Sequence, residues 1–254
     1  MNLHKSPEEI EIIRRNSQIL LAVMDQLQPS ISAGRTTREI DAEAARLLQL
    51  QGLESALLGY RGYSASICAS VNDCVTGGVP SDRQLEEGDT LSLIVAIKKD
   101  GYHAKIHQCY GIGNLSADAV RLQTAAKSAL QAAIGNAVLG NRVSDISHAI
   151  QSVAQAFGYG VVRELIGHGI GKDLHEAPMI PCFGEPGRGM TLRSGMVLQI
   201  LVLMTETENA KVSVGDDEWS VLTADGCRAC DVGHIVAVDE GYPQVLTRPP
   251  DHGA

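Results

Sequence analysis

Positive charge is in short supply in this sequence. Its 21 Lys and Arg face 30 Asp and Glu, giving a formal charge of −9 and a pI near 5.3. A nucleic-acid binder carries a basic field, and a membrane-surface protein carries a basic run; neither is present, so both partner classes are set aside. Long apolar runs are missing too. The longest, from Gly195 to Met204, is too short to span a bilayer and contains Gln199. Met-Asn-Leu-His-Lys-Ser-Pro-Glu-Glu opens the chain and turns acidic where a signal peptide would be apolar, which gives the expectation of a cytoplasmic protein. The six cysteines (68, 74, 109, 182, 227 and 230) are scattered, with no framework spacing, and read as reduced thiols. Cys227-x-x-Cys230 is a lone pair with no second pair at zinc-finger spacing, so free thiols are preferred over a metal or redox site.

What is present is an ordinary globular composition, 44% hydrophobic and 20% charged, in 254 residues. A chain of that length can bury a large core unaided. Ser6-Pro7-Glu8-Glu9 is a capping box with proline in the first helical turn, and apolar residues at helical spacing follow to Leu27, before Pro29. A second helix is expected from Thr36 or Thr37 to about Gly52. Ser66–Val71, Thr90–Lys98 and Tyr102–Tyr110 read as strands, the last two joined by an Asp100-Gly101 turn. The order then repeats. Helices are expected from Ser116 to about Ala137 and from Ser144 to Phe157, with Gly158 as the stop. Strands follow at Gly160–Leu165, Met196–Met204, Trp219–Thr223 and His234–Val238. The expectation is one α+β domain over residues 1–254, with similar halves at about 6–112 and 113–240 around one sheet and a frayed tail over 244–254.

Four stretches carry more than secondary structure. They are Gly59-Tyr60-Arg61-Gly62-Tyr63, then Ser66 to Asp73, then Gly167-His168-Gly169-Ile170-Gly171 with His175-Glu176-Ala177-Pro178, then Gly195-Met196-Val197. In that order and at those separations they resemble type I methionine aminopeptidases, over nearly the whole chain from Ser6 to Val238. The resemblance implies the pita-bread fold, an α+β architecture of two pseudo-symmetric halves around a curved antiparallel sheet. It also implies removal of an initiator methionine by two divalent metals held on two Asp, two Glu and a His.

Matched position by position, the resemblance puts Ile94, Lys105, Leu201 and Gly233 where the family has its carboxylates, and Gly77 where it has a His near the entrance. His168 matches the metal-binding His and His175 the residue that contacts the substrate amide. One neutral imidazole cannot hold a pair of divalent ions, and a lysine beside it repels them. No metal and no cofactor is therefore expected. The family's methionine side-chain pocket is matched by Tyr60, Tyr63, Cys68 and Trp219, with Leu174 in place of a Phe.

His168 reads either as an acid/base or ligand-binding residue or as a packed turn histidine, and His175 likewise. Lys105 reads as a nucleophilic amine or, more plainly, as a cation that fills the old metal site or swings to solvent. His107 falls on the same strand face as Lys105 and could complete a polar cluster. The expectation from these residues is a repurposed, metal-independent enzyme, in the manner of creatinase. His168, His175 and Lys105 would be catalytic, and a small amino-acid-like or peptide ligand would sit against Tyr60, Tyr63, Cys68, Leu174, Trp219 and His107. The alternative is a non-catalytic binder of a peptide N-terminus or a protein partner, and an active metallo-aminopeptidase is the least favoured reading.

Overall fold

The computed structural model describes residues 3–248. Helix α1 spans Pro7–Leu27, and its capping box is complete: Ser6 accepts from the Glu9 N–H while the Glu9 carboxylate accepts from the Ser6 N–H. Helix α2, Thr37–Leu50, opens on the same device made by Thr36 and Glu39. Helix α3, Ala117–Gly135, is capped by Ser116. Helix α4, Val143–Phe157, ends on Gly158 in the left-handed region at φ 75°.

Strands β1 (Ile67–Val71), β2 (Cys74–Thr76), β3 (Thr90–Lys99) and β4 (Tyr102–Gly111) follow α2. Strands β5 (Gly160–Val161), β6 (Ile166–Gly169), β7 (Glu176–Pro181), β8 (Val197–Thr205), β9 (Val212–Val214), β10 (Val221–Thr223), β11 (Ala229–Ala237) and β12 (Gln244–Val245) follow α4. Asp100 and Gly101 both take positive φ, 49° and 82°, as a two-residue turn between twisted antiparallel strands requires. One antiparallel sheet runs β1-β3-β4-β11-β8-β6-β7, with β12 on β11 and β5 on β8. A small second sheet runs β2-β10-β9. The fold is the pita-bread α+β architecture.

One face of the large sheet carries the helices. Residues such as Val95, Ala104 and Ile106 join a core with α1 and α2, while Leu198, Ile200, Val202 and Val232 join a core with α3 and α4. Alternation along the strands sends the other half of the side chains to the opposite face, where the candidate site lies.

Several strand expectations need correction. The segment from Gly160 pairs only over Gly160–Val161, and the one from Trp219 begins at Val221. β11 begins at Ala229, five residues before the expected start at His234, and takes in Asp231 and Gly233. Both are poor strand formers, but pairing on two sides and full burial override local preference. β2, β6, β7, β9 and β12 were not expected. The frayed tail is also corrected over its first residues. Gln244 and Val245 pair with β11, the Leu246 N–H donates to the Ile235 carbonyl, and Leu246 and Thr247 are buried. Residues 249–254 lie outside the described part of the chain.

Candidate functional site

Residues directly opposite each other in antiparallel strands share a face, so the ladder itself assembles the site. One rung crosses five strands: Cys68 opposite Ile94, Ile94 opposite His107, His107 opposite Gly233, and Gly233 opposite Leu201. Lys105 and Asp231 each lie two residues away on the same face. His168, on β6, sits opposite Gln199, two residues from Leu201 on β8. Residues from both halves of the chain thus meet on one surface.

A charged cluster lies at its floor. Asp231 is fully buried and accepts from His107 Nδ1 at 2.8 Å and from the Thr76 hydroxyl at 3.0 Å, while its own N–H donates to Ser92 Oγ. Lys105 is buried on the same face, so it neither swings to solvent nor makes a hydrogen bond or ion pair among the described residues. Burial pushes its pKa down, opposed chiefly by the nearby Asp231 carboxylate. Burial also lowers His107, against the pull of Asp231. His168 Nδ1 donates to the Gly169 carbonyl at 2.8 Å. Burial first, then Lys105 and His175, hold the His168 pKa down to about 2, so this ring is neutral at physiological pH. The same burial lifts the Cys68 thiol to about 11.

The rim is aromatic. The Tyr60 hydroxyl and His175 Nδ1 are 2.8 Å apart, and the His175 and His168 rings are 4.2 Å apart between centroids. Tyr63 and Trp219 meet edge to face at 5.1 Å, and the Tyr63 hydroxyl is fixed against the Ile67 and Gly78 carbonyls. Leu174 is buried beside them in the same core. Cys68, Lys105, His107 and His168 lie on this face and His175 and Tyr60 adjoin it, while Tyr63, Trp219 and Leu174 belong to the core that Cys68 also joins. Asp231 was missed: the acid was sought at position 233, beside His234. Strand alternation from Gly233 was the signal that could have found it.

The divalent pair that the fold family implies does not fit these residues. Ile94, Lys105, Leu201 and Gly233, which the resemblance matched to the family's hard oxygen ligands, present no oxygen donor on this face. At Gly233 there is no room for a longer residue, since an added Cβ would lie 2.6 Å from Leu201 Cδ2 and 2.7 Å from the Ile200 carbonyl oxygen. Gly77, at φ 72°, is closed in the same way, 2.5 Å from the Trp219 carbonyl oxygen. Among the described residues, no three His, Cys, Asp or Glu side chains converge as a metal cage. All six cysteines are free, and Cys230 is buried within β11.

A model of metallopeptidase family M24 matches residues 11–240. Methionine aminopeptidase 1 of Bacillus subtilis is 37% identical over 98% of this chain and 100% of its own length. The methionine aminopeptidase of Clostridium acetobutylicum is 37% identical over 97% and 99%. Among solved structures, methionine aminopeptidase from Thermotoga maritima superposes with a TM-score of 0.94 at 30% identity, covering 98% of this chain and 100% of that one. Prolidase from Pyrococcus furiosus shares the fold alone, with a TM-score of 0.78 at 20% identity over 97% of this chain and 66% of that one.

These similarities correct the functional expectation drawn from the sequence. A repurposed metal-independent enzyme distinct from the aminopeptidases, and equally a non-catalytic binder, would be set apart from these relatives. Instead the likeness to proteins named methionine aminopeptidases runs from end to end of both chains. The missing carboxylates had been weighted above that whole-length likeness.

Proposed function

The chain belongs to metallopeptidase family M24, and from that premise we propose that it is an aminopeptidase acting on peptides that begin with methionine. The observation that carries this reading is the aromatic pair of Tyr63 and Trp219. Tyr63 and Trp219 pack edge to face, with Leu174 and Cys68 in the same core, in a chain 37% identical over its length to a protein named methionine aminopeptidase. An apolar aromatic surface of this kind suits an unbranched thioether side chain. His175, held by Tyr60, is proposed to meet the peptide backbone at the rim. We read the chain as a divergent member in which Ile94, Lys105, Leu201 and Gly233 stand where relatives carry metal-binding carboxylates. The halves at 6–112 and 113–240 are proposed as pseudo-repeats, supported by the order of two helices then strands in each.

The test is release of free methionine from Met-Ala-Ser by purified protein, with chelator and with added manganese or cobalt. Methionine release, reduced by Trp219→Ala through a raised KM, supports the reading. No release under either condition, with the protein folded, overturns it.

A further inference from the structure

Hydrogen-bond accounting at the floor of the site points to a ligand of definite polarity. A carbonyl oxygen can only accept, so His168 Nδ1 must carry the ring proton that it gives to Gly169. The Asp231 carboxylate likewise fixes the ring proton of His107 on Nδ1. In each neutral ring the remaining Nε2 is then a bare lone pair. Both Nε2 atoms are buried and have no hydrogen-bond partner. Lys105, on the same face and within electrostatic reach of His168, is a buried residue whose amine makes no hydrogen bond among the described residues. The face therefore presents two buried imidazole acceptors, the buried and unpartnered amide of Gln199, and the amine of Lys105, and each lowers the free energy of a complex only if it is matched.

Resting on the reading above, we propose that the free α-amine of the peptide donates to Nε2 of His107 and of His168, while Lys105 Nζ donates to the first carbonyl oxygen. An N-terminal residue offers this complement: N–H bonds at the amine and one carbonyl oxygen three bonds away. Asp231 positions His107 from behind, holding the tautomer that exposes Nε2. The α-amine binds in its neutral form, whose two N–H bonds match the two Nε2 acceptors, since Lys105 disfavours a second cation on this face. A second carboxylate is not required, and a ligand anion in the amine position would meet two lone pairs. Selection of a free N-terminus thus falls to two imidazoles and an amine of this chain.

The experiment is calorimetric titration with three ligands: Met-Ala-Ser, its N-acetyl form, and its reduced-amide analogue with CH₂ in place of the first carbonyl. Wild-type protein is expected to bind Met-Ala-Ser and to lose about 10- to 100-fold in affinity for the acetyl form, the range for one buried acceptor left unmatched. His107→Asn keeps a donor for Asp231 and removes the Nε2 acceptor, so it should weaken Met-Ala-Ser by about tenfold and narrow the gap to the acetyl form. Lys105→Met should weaken Met-Ala-Ser by a similar factor, about tenfold, while leaving the reduced-amide analogue unaffected. Equal binding of free and acetyl peptide by wild-type protein overturns this assignment and leaves the proposed substrate standing. Failure of every methionyl ligand to bind wild-type protein overturns both. Because the ligand comparison uses unaltered protein, it is decisive even where a variant does not fold.

Discussion

His168 shows how burial decides a residue's behaviour. Its ring is neutral because desolvation, reinforced by Lys105, pushes the pKa from an ordinary 6.5 to about 2, and His234 is depressed to about 4 by the same cause. The unfolded chain binds protons at both rings below about pH 6.5, where the folded chain does not. Stability is therefore full above pH 6.5 and is lost as pH falls toward the folded values. The melting temperature should drop between pH 7 and pH 4.5, and His168→Asn should flatten that slope. An unchanged slope would mean that the ring is solvated. His168 was legible in the sequence from its glycine-flanked motif. Its proton was not, since that depends on the Gly169 carbonyl and on burial. Asp231 was hidden for another reason: its partner His107 is 124 residues away, and only the register of β11 against β4 brings them together.

Elements with local signals were readable and those without were not. The capping boxes at Ser6 and Thr36, Gly158, and the Asp100-Gly101 turn each fix their geometry within a few residues. β6 and β7 carry glycine, histidine and proline in short strands, and their pairing is set by β8 rather than by propensity. The loop between them bears Leu174 and His175 and is tied to the N-terminal segment by a buried ion pair, Lys5 Nζ to Glu176 at 2.6 Å. Lys5→Ala would leave Glu176 buried and uncompensated, at a cost of about 3–5 kcal/mol. Thermal denaturation should register that loss, and KM for a methionyl peptide should rise as the loop loosens. A Lys5→Ala protein with wild-type stability would show that the pair carries no structural load. At the far end, β12 anchors Thr247 against His234 at 2.9 Å.

At the scale of the whole molecule, the sheet is the device that makes a site from two halves. β1, β3 and β4 bring Cys68, Lys105 and His107, while β6, β8 and β11 bring His168, Leu201 and Asp231, and all share the face opposite the helices. The α+β architecture could be read from the order of motifs. The functional expectation failed because it rested on four matched positions, whereas the likeness to methionine aminopeptidases runs the length of the chain and Asp231 lies buried among those positions. The position taken by a methionyl peptide tests the account most directly. In a crystal structure of the chain with Met-Ala-Ser, the methionine side chain should lie against Tyr63 and Trp219, with its amine toward His107 and His168 and its carbonyl toward Lys105. A peptide bound in the opposite sense, with its carboxylate on Lys105 and no side chain against the aromatic pair, would contradict it.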